Sequence, residues 1–206
     1  MPKNTFFNLP EEKRERIIEA AIDEFAKNLY HNASITRIVD NSGIAKGSFY
    51  QYFEDKKDLF KYILDLGGKK KTRYLEHVLT EIDNMNFFSL IRELFIAGII
   101  FSKENPKLSN IGCNFANSAD EKLKKEIYGE NVPKSNHMFK ILLQKSIARE
   151  EINPDIDVDL VSQMITNLSI FIIEYFFKEI RKTDNMEMLD LVDKMLFVLK
   201  NGIKRN

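Results

Sequence analysis

Apolar residues return at intervals of three and four along nearly the whole chain, and no alternating strand pattern with hairpin dipeptides interrupts them. The periodicity predicts an all-α protein. After Pro10, a residue suited to a first helical turn, Ile17, Ala20, Ala21, Glu24 and Phe25 mark a helix with one apolar face. Ser34 opens a short segment carrying Ile35, Ile38 and Val39, which Ser42-Gly43 breaks. Ala45 to Tyr52 forms another brief helix that ends near Phe53-Glu54. Asp55 followed by Asp58 gives an acidic cap to a helix with Leu59, Tyr62, Ile63 and Leu66 on one face, and Gly67-Gly68 is expected to interrupt it.

Longer helices follow. Phe87, Phe88, Ile91, Leu94, Phe95, Gly98 and Phe101 define one that Asn105-Pro106 stops, and Leu108, Ile111 and Phe115 suggest a short successor. After a loop expected at Gly129 to Pro133 come Phe139, Leu142, Leu143, Ser146 and Ile147. Asn153-Pro154-Asp155 through Asp157 breaks the chain and caps a helix expected to run to about Lys182; Asp184 with Glu187 resembles a capping box for the last one. That last helix places Leu189, Val192, Leu196, Leu199 and Ile203 in one stripe. Its predecessor is apolar almost all round, with Val161, Met164, Ile165, Leu168, Phe171, Ile172, Ile173, Phe176 and Phe177. A helix buried on one side has no need of two apolar faces, so one face is expected to serve the protomer's core and the other a partner; the alternative is a monomer in which this helix is central.

Composition narrows the class. The 206 residues carry 31 Lys plus Arg and 31 Asp plus Glu, which excludes a uniformly basic nucleic-acid binder. Charge is nevertheless uneven: 14 basic residues face 11 acidic ones through Leu75, against 17 and 20 afterwards, the sign expected of a DNA-facing N-terminal part. A single cysteine, Cys113, excludes an intramolecular disulfide and a Cys-rich zinc site and fits a reducing cytoplasm. No signal-peptide core follows Met1, and the longest uncharged run, Leu160 to Ile173, is 14 residues, so no membrane segment is expected. His31, His77 and His137 lack metal-ligand spacing, and neither a phosphate-cradling glycine loop nor a nucleophile elbow occurs. The expectation is a protein without catalysis, cofactor or metal. The run Lys69-Lys70-Lys71 with Arg73 reads as a solvated helix face.

The informative stretch is Ser34 to Leu59. A glycine between two short amphipathic helices supplies the positive φ of a sharp turn and holds the second helix across the first. That second helix presents Lys46, Gly47, Ser48, Tyr50, Gln51 and Tyr52, while Ile44, Phe49 and Phe53 face inward. A cation, a hydroxyl, an amide and phenols on one short helix suit entry into a major groove.

This stretch resembles the DNA-binding domain of the tetracycline-repressor (TetR) family. The Gly43-Ile44 turn, the Gly47-Ser48-Phe49-Tyr50 core and the Tyr52-Phe53-x-x-Lys56 tail stand in family order at family spacing, and Ile17 to Ala26 is similar to the family's first helix. The resemblance implies a three-helix helix-turn-helix DNA-binding domain over residues 1–55. A larger helical domain over 56–206 would then bind ligand and dimerise. It implies that Ser34 caps the second helix, that Thr36 and Lys56 meet phosphates, and that Lys46, Gly47, Ser48 and Gln51 lie on the recognition helix with Tyr50 and Tyr52 at backbone or base edges. Arg37 completes the DNA-facing set. Three departures from the family pattern stand out: Leu29 replaces the glycine after the first helix, leaving Asn28 to take the left-handed position; Ala45 replaces a capping Ser or Thr; and the Gly67-Gly68 break falls in the fourth helix, the family's usual link between ligand domain and reading head.

The same resemblance implies a cytoplasmic homodimer joined through its last two helices, an approximately palindromic double-stranded DNA operator, and a small, largely apolar effector that releases the protein from DNA. Candidate effector-lining residues are Phe88, Phe95, Cys113, Asn114, Phe115, Asn117, His137, Asn167, Phe171 and Tyr175, aromatics with a few amides. Repression is the family's habit rather than a property of any residue. The residues leave open a helical ligand-binding or interaction module that has lost DNA binding.

Overall fold

The structure, a computed structural model, describes residues 1–128, 134–175 and 185–201. Among them are eleven α-helices, a single 3-10 turn and no strand. The helices are α1 (Asn4–Phe7), α2 (Glu11–Lys27), α3 (Ile35–Ser42), α4 (Lys46–Tyr52), α5 (Lys56–Thr80), α6 (Phe87–Glu104), α7 (Pro106–Ala116), α8 (Glu121–Tyr128), α9 (Lys134–Ala148), α10 (Val158–Tyr175) and α11 (Asn185–Asn201); the 3-10 turn spans Tyr30–Asn32. None of the described helices is long and apolar enough to cross a membrane. The loop expected at Gly129 to Pro133, the end near Lys182, Phe176, Phe177, Asp184 and Ile203 lie outside the described residues.

Two compact units partition the chain. The first comprises residues 1–70 and 104–130, the second 71–103 and 131–206. This cut differs from the 55/56 boundary expected from sequence, because the first unit's core recruits helices from farther along. Phe25 of α2 meets Phe60 of α5 at 4.8 Å between ring centroids, and Phe60 meets Phe115 of α7 at 5.5 Å. Ile111, Leu123 and Ile127 complete that core, so α7 and α8 share it with α2, α3 and α4. Burying each such side chain contributes about 1.5–3 kcal/mol.

Several ends are fixed as the residue types dictate. The Asp55 carboxylate accepts the Asp58 N–H at 2.7 Å, and the Asp58 carboxylate accepts the Glu54 N–H at 3.2 Å, which caps α5. Asp120 accepts the Leu123 N–H at 2.9 Å and so starts α8. Pro106 occupies the first turn of α7, where its missing N–H costs nothing.

Two expectations are corrected. Gly67-Gly68 does not interrupt α5, which runs unbroken from Lys56 to Thr80. Two helical glycines cost about 2 kcal/mol relative to alanine, less than the burial of Leu59, Phe60, Ile63 and Val78 on the same helix returns. Nor does Asn28 take a left-handed conformation: it is extended at φ −128° and ψ 135°. Its backbone N–H and side-chain amide both donate to the Glu24 carbonyl, at 3.0 and 3.2 Å, so α2 closes on an asparagine hydrogen bond instead of a left-handed turn.

In the second unit α6 is the central apolar helix. Its Phe87, Leu90, Ile91, Leu94, Phe95 and Ile99 pack with Leu142 and Leu143 of α9, Ile165 and Ile172 of α10, and Val192 and Leu196 of α11. Arg92 of α6 holds Asp193 of α11 through two bonds, Nε–Oδ1 at 2.5 Å and Nη2–Oδ2 at 3.0 Å. The expected two-faced character of α10 is plain in its burial. Ser162, Ile165, Thr166 and Ile172 are buried, whereas Leu160, Met164, Phe171 and Tyr175 are 58, 47, 57 and 40% exposed. On α11, Phe197 and Val198 are likewise exposed, at 65 and 48%.

Candidate nucleic-acid interface

Gly43 makes the turn. It closes α3 in the left-handed conformation, φ 66° and ψ 35°, where a β-carbon would be strained, and its N–H satisfies the Asp40 carbonyl at 3.3 Å. Ser42, buried beneath the turn, donates its hydroxyl to the Ile38 carbonyl at 2.8 Å. Ser34 caps α3 as expected, accepting the Arg37 N–H at 3.4 Å, whereas Ala45 at the start of α4 offers no side-chain cap.

On α4, Phe49 is fully buried, Tyr52 is 6% exposed and Phe53, just beyond, is fully buried. Phe49 and Phe53 stack at 5.4 Å between ring centroids and anchor the helix to the core. The opposite face is open: Lys46, Gly47, Tyr50 and Gln51 are exposed, and Ser48 is half-buried. A β-carbon built at Gly47 would meet nothing within 4 Å. The positions i, i+1, i+4 and i+5 share one side of a helix, so a cation, a bare backbone, a phenol and an amide lie together. Thr36, in the first turn of α3, is exposed as well.

Other members of the expected DNA-facing set are engaged inside the unit. Arg37 donates from Nε and Nη2 to the Glu24 carboxylate, at 3.0 and 2.5 Å, and from Nη2 to the Asn32 carbonyl at 2.8 Å. Glu24 is 5% exposed and also accepts the Ser34 N–H at 2.8 Å. The Arg37 hydrogen bonds hold its carboxyl below the usual carboxylate range, burial opposes them, and the Ser34 N–H adds to the lowering. This pair ties α2 to the start of α3. Lys56 donates to the carbonyls of His31 and Ala33, at 3.2 and 2.9 Å, and lies 4.7 Å from the Tyr30 ring centroid. Its ammonium, pushed down by burial, fixes the turn between α2 and α3. Tyr52 belongs to the core, with the Lys13 ammonium 5.9 Å from its ring centroid.

Sequence reasoning placed Glu24 on an apolar face without its partner, and it missed the clasp that ties α8 and its capping residue to the Tyr30 turn and the start of α5. There His31 meets the Asp120 carboxylate at 2.7 Å and Lys57 meets Glu126 at 2.9 Å. No periodicity signals either contact, since the partners lie 89 and 69 residues apart.

The ten effector-lining candidates fall in both units. Cys113, Asn114, Phe115 and Asn117 belong to α7 and its end, with Phe115 buried against Phe60. Phe88 and Phe95 are on α6, His137 on α9, and Asn167, Phe171 and Tyr175 on α10. Phe95 is buried and Phe88 half-buried, while His137, Asn167, Phe171 and Tyr175 are exposed. Among the described residues, no group of three or more His, Cys, Asp or Glu side chains is placed to hold a metal ion.

Residues 17–63 match the family described as bacterial regulatory proteins, tetR family. The crystal structure of a TetR family transcriptional regulator from Chloroflexus aurantiacus J-10-FL is 31% identical, covers 100% of both chains and superposes with a TM-score of 0.77. The HTH-type transcriptional regulator YvdT of Bacillus subtilis strain 168 is 27% identical over 190 residues, 91% of this chain and 92% of that protein. At 22% identity, the transcriptional regulator FadR from Bacillus subtilis, crystallised in complex with stearoyl-CoA, shares the fold with a TM-score of 0.73 over 92% of this chain and 99% of its own. Because the likeness to a 31% identical regulator runs from end to end and is not confined to the helix-turn-helix, the chain belongs to the TetR family and is a DNA-binding transcriptional regulator.

Proposed function

We propose that the protein is a homodimeric repressor that occupies an approximately palindromic operator in the cytoplasm and leaves it when a small, largely apolar effector binds. The observation that carries this reading is the open face of α4. Lys46, Gly47, Tyr50 and Gln51 project from a helix whose other side is fixed by Phe49 and Phe53. With Thr36 and Ser48 they form the working DNA surface; Ser34, Arg37, Tyr52 and Lys56 act by holding it. Lys46 neutralises phosphate charge, and the bare Gly47 backbone permits close approach. In functional terms residues 1–55 read DNA and 56–206 regulate.

The exposed stripe Leu160, Met164, Phe171 and Tyr175 on α10, with Phe197 and Val198 on α11, supports pairing of two copies through the last two described helices. Phe171 and Tyr175 are assigned to that interface; Phe88, Phe95, His137 and Asn167, all of the second unit, remain the proposed effector lining. The fold shared with FadR, whose structure holds stearoyl-CoA, supports an effector with a long apolar portion. Effector binding would alter the spacing of the two reading heads so that both cannot seat at once.

Selection of bound sequences from a random double-stranded DNA library at about 0.1 M salt, where phosphate contacts still contribute, tests the reading. An enriched inverted repeat is expected. A folded, dimeric sample that enriches nothing would overturn it and favour the interaction-module alternative.

A further inference from the structure

A seven-residue helix such as α4 ends with four carbonyls that have no partner inside it. Here all four are satisfied. The Phe49 carbonyl accepts the Phe53 N–H at 2.8 Å, the next residue along the chain after α4. The other three are satisfied from the N-terminal segment, more than forty positions away. The Lys3 ammonium donates to the Tyr50 carbonyl at 2.9 Å, the Thr5 hydroxyl donates to the Gln51 carbonyl, and the Lys3 backbone N–H donates to the Tyr52 carbonyl at 2.9 Å.

What holds that segment in place is equally specific. Phe6 is fully buried, with its ring 4.8 Å from Phe53, 5.6 Å from Tyr62 and 6.3 Å from Tyr52, measured between centroids. Its N–H returns to the Lys3 carbonyl at 2.9 Å, closing the turn that presents Lys3 and Thr5. The residues so capped include Tyr50 and Gln51, whose side chains are exposed and belong to the proposed DNA surface. A positive side chain at a helix C-terminus also opposes the negative end of the helix dipole.

We propose that residues 3–6 are a C-terminal cap supplied to the recognition helix from a distant segment of the same chain, and that Lys3 and Thr5 are positioning residues for DNA reading, not DNA contacts. The proposal rests on the regulator reading for its functional half, while the cap itself is a property of the free protein. Without it the last turn of α4 frays, and Tyr50 and Gln51 lose their fixed placement before any groove is met. Phe6 packs the segment down; Lys3 and Thr5 do the capping.

The experiment uses the full chain with Thr5→Val, Thr5→Ser and Lys3→Met, and two readouts. In the free protein, hydrogen exchange of the amides from Phe49 to Phe53 should quicken by roughly fivefold in Thr5→Val, the factor for one net hydrogen bond, with α2 amides unchanged. Thr5→Ser, which keeps the hydroxyl, should restore wild-type exchange. On the inverted-repeat duplex recovered by the selection above, Thr5→Val should bind several-fold more weakly. Lys3→Met should also bind more weakly but leave the slope of log affinity against log salt unchanged. Unaltered exchange over α4 in Thr5→Val would overturn the cap. A salt slope lowered by about one in Lys3→Met would make Lys3 a phosphate contact and overturn its positioning role. If the wild type selects no duplex, the regulator reading fails by itself, and exchange alone still decides the cap.

Discussion

Consider Glu24→Ala. The wild-type carboxylate is 5% exposed and accepts from the Ser34 N–H at 2.8 Å, from Arg37 Nε at 3.0 Å and from Arg37 Nη2 at 2.5 Å. Alanine leaves the Ser34 N–H without its charged acceptor, a bond of about 1.5–3 kcal/mol, and opens a small void beneath α3. Arg37 is half exposed and can turn to water, so its share of the pair is discounted. The expected loss is about 2–3 kcal/mol, which for a chain of this length lowers the melting temperature by roughly 5–10 °C.

The pH dependence gives a second handle on the same residue. The folded-state pKa of Glu24 lies below its ordinary value, chiefly through the Arg37 hydrogen bonds. In the acid range the unfolded chain therefore binds this proton more readily than the folded one, and stability rises with pH. The contribution is complete above the unfolded value of about 4.3 and is lost as pH falls through the folded value. Urea unfolding of wild type and variant, followed by helical circular dichroism from pH 7 downward, should show a gap that is widest above about pH 5 and closes on acidification. A difference below about 0.5 kcal/mol at pH 7, or a gap that widens in acid, would refute the latch.

Replacing Gly67 or Gly68 by alanine should raise stability by about 0.5–1 kcal/mol each, read as a higher urea midpoint; a β-carbon at Gly67 meets only Leu108, at an ordinary 3.7 Å, and one at Gly68 meets nothing within 4 Å. Ala45→Ser should add an N-cap to α4 worth about 0.5–2 kcal/mol, and an unchanged or lower melting temperature would contradict the helix start. Phe171→Glu, on the exposed stripe of α10, should convert the dimer to monomer in sedimentation velocity and weaken binding to a two-half-site duplex; a variant that stays dimeric would remove α10 from the interface.

The helices with strong periodicity were legible from the chain alone, because an apolar stripe at three and four has one stable solution. The Gly43 turn, the inward Phe49 and Phe53, and the two apolar faces of α10 were legible for the same reason. Helix α1 was not: four residues are too few to show a period, and Phe6 is an isolated aromatic until the fold brings Phe53 and Tyr62 to it. Gly67-Gly68 misled because local propensity argued for a break that tertiary packing overrides. Arg37, Tyr52 and Lys56 were legible as members of a motif but not in what they do. A motif fixes residue type and spacing, whereas the Glu24 carboxylate, the Ala33 carbonyl and the Phe6 ring that engage them enter only with the three-dimensional fold.

Gly47 carries a consequence for how such a chain can evolve or be redesigned. Its backbone is an ordinary helical one, and the space beside it is empty, so nothing inside the protomer requires a glycine there. Alanine would make a stiffer helix and a hardier fold. A sequence optimised for this backbone alone would therefore discard the residue, and a population selected only for thermal endurance would drift away from it. Under the proposed function, the demand for a bare position comes from outside the molecule, from the DNA that α4 would approach. On that reading, robustness and recognition pull in opposite directions at this one site.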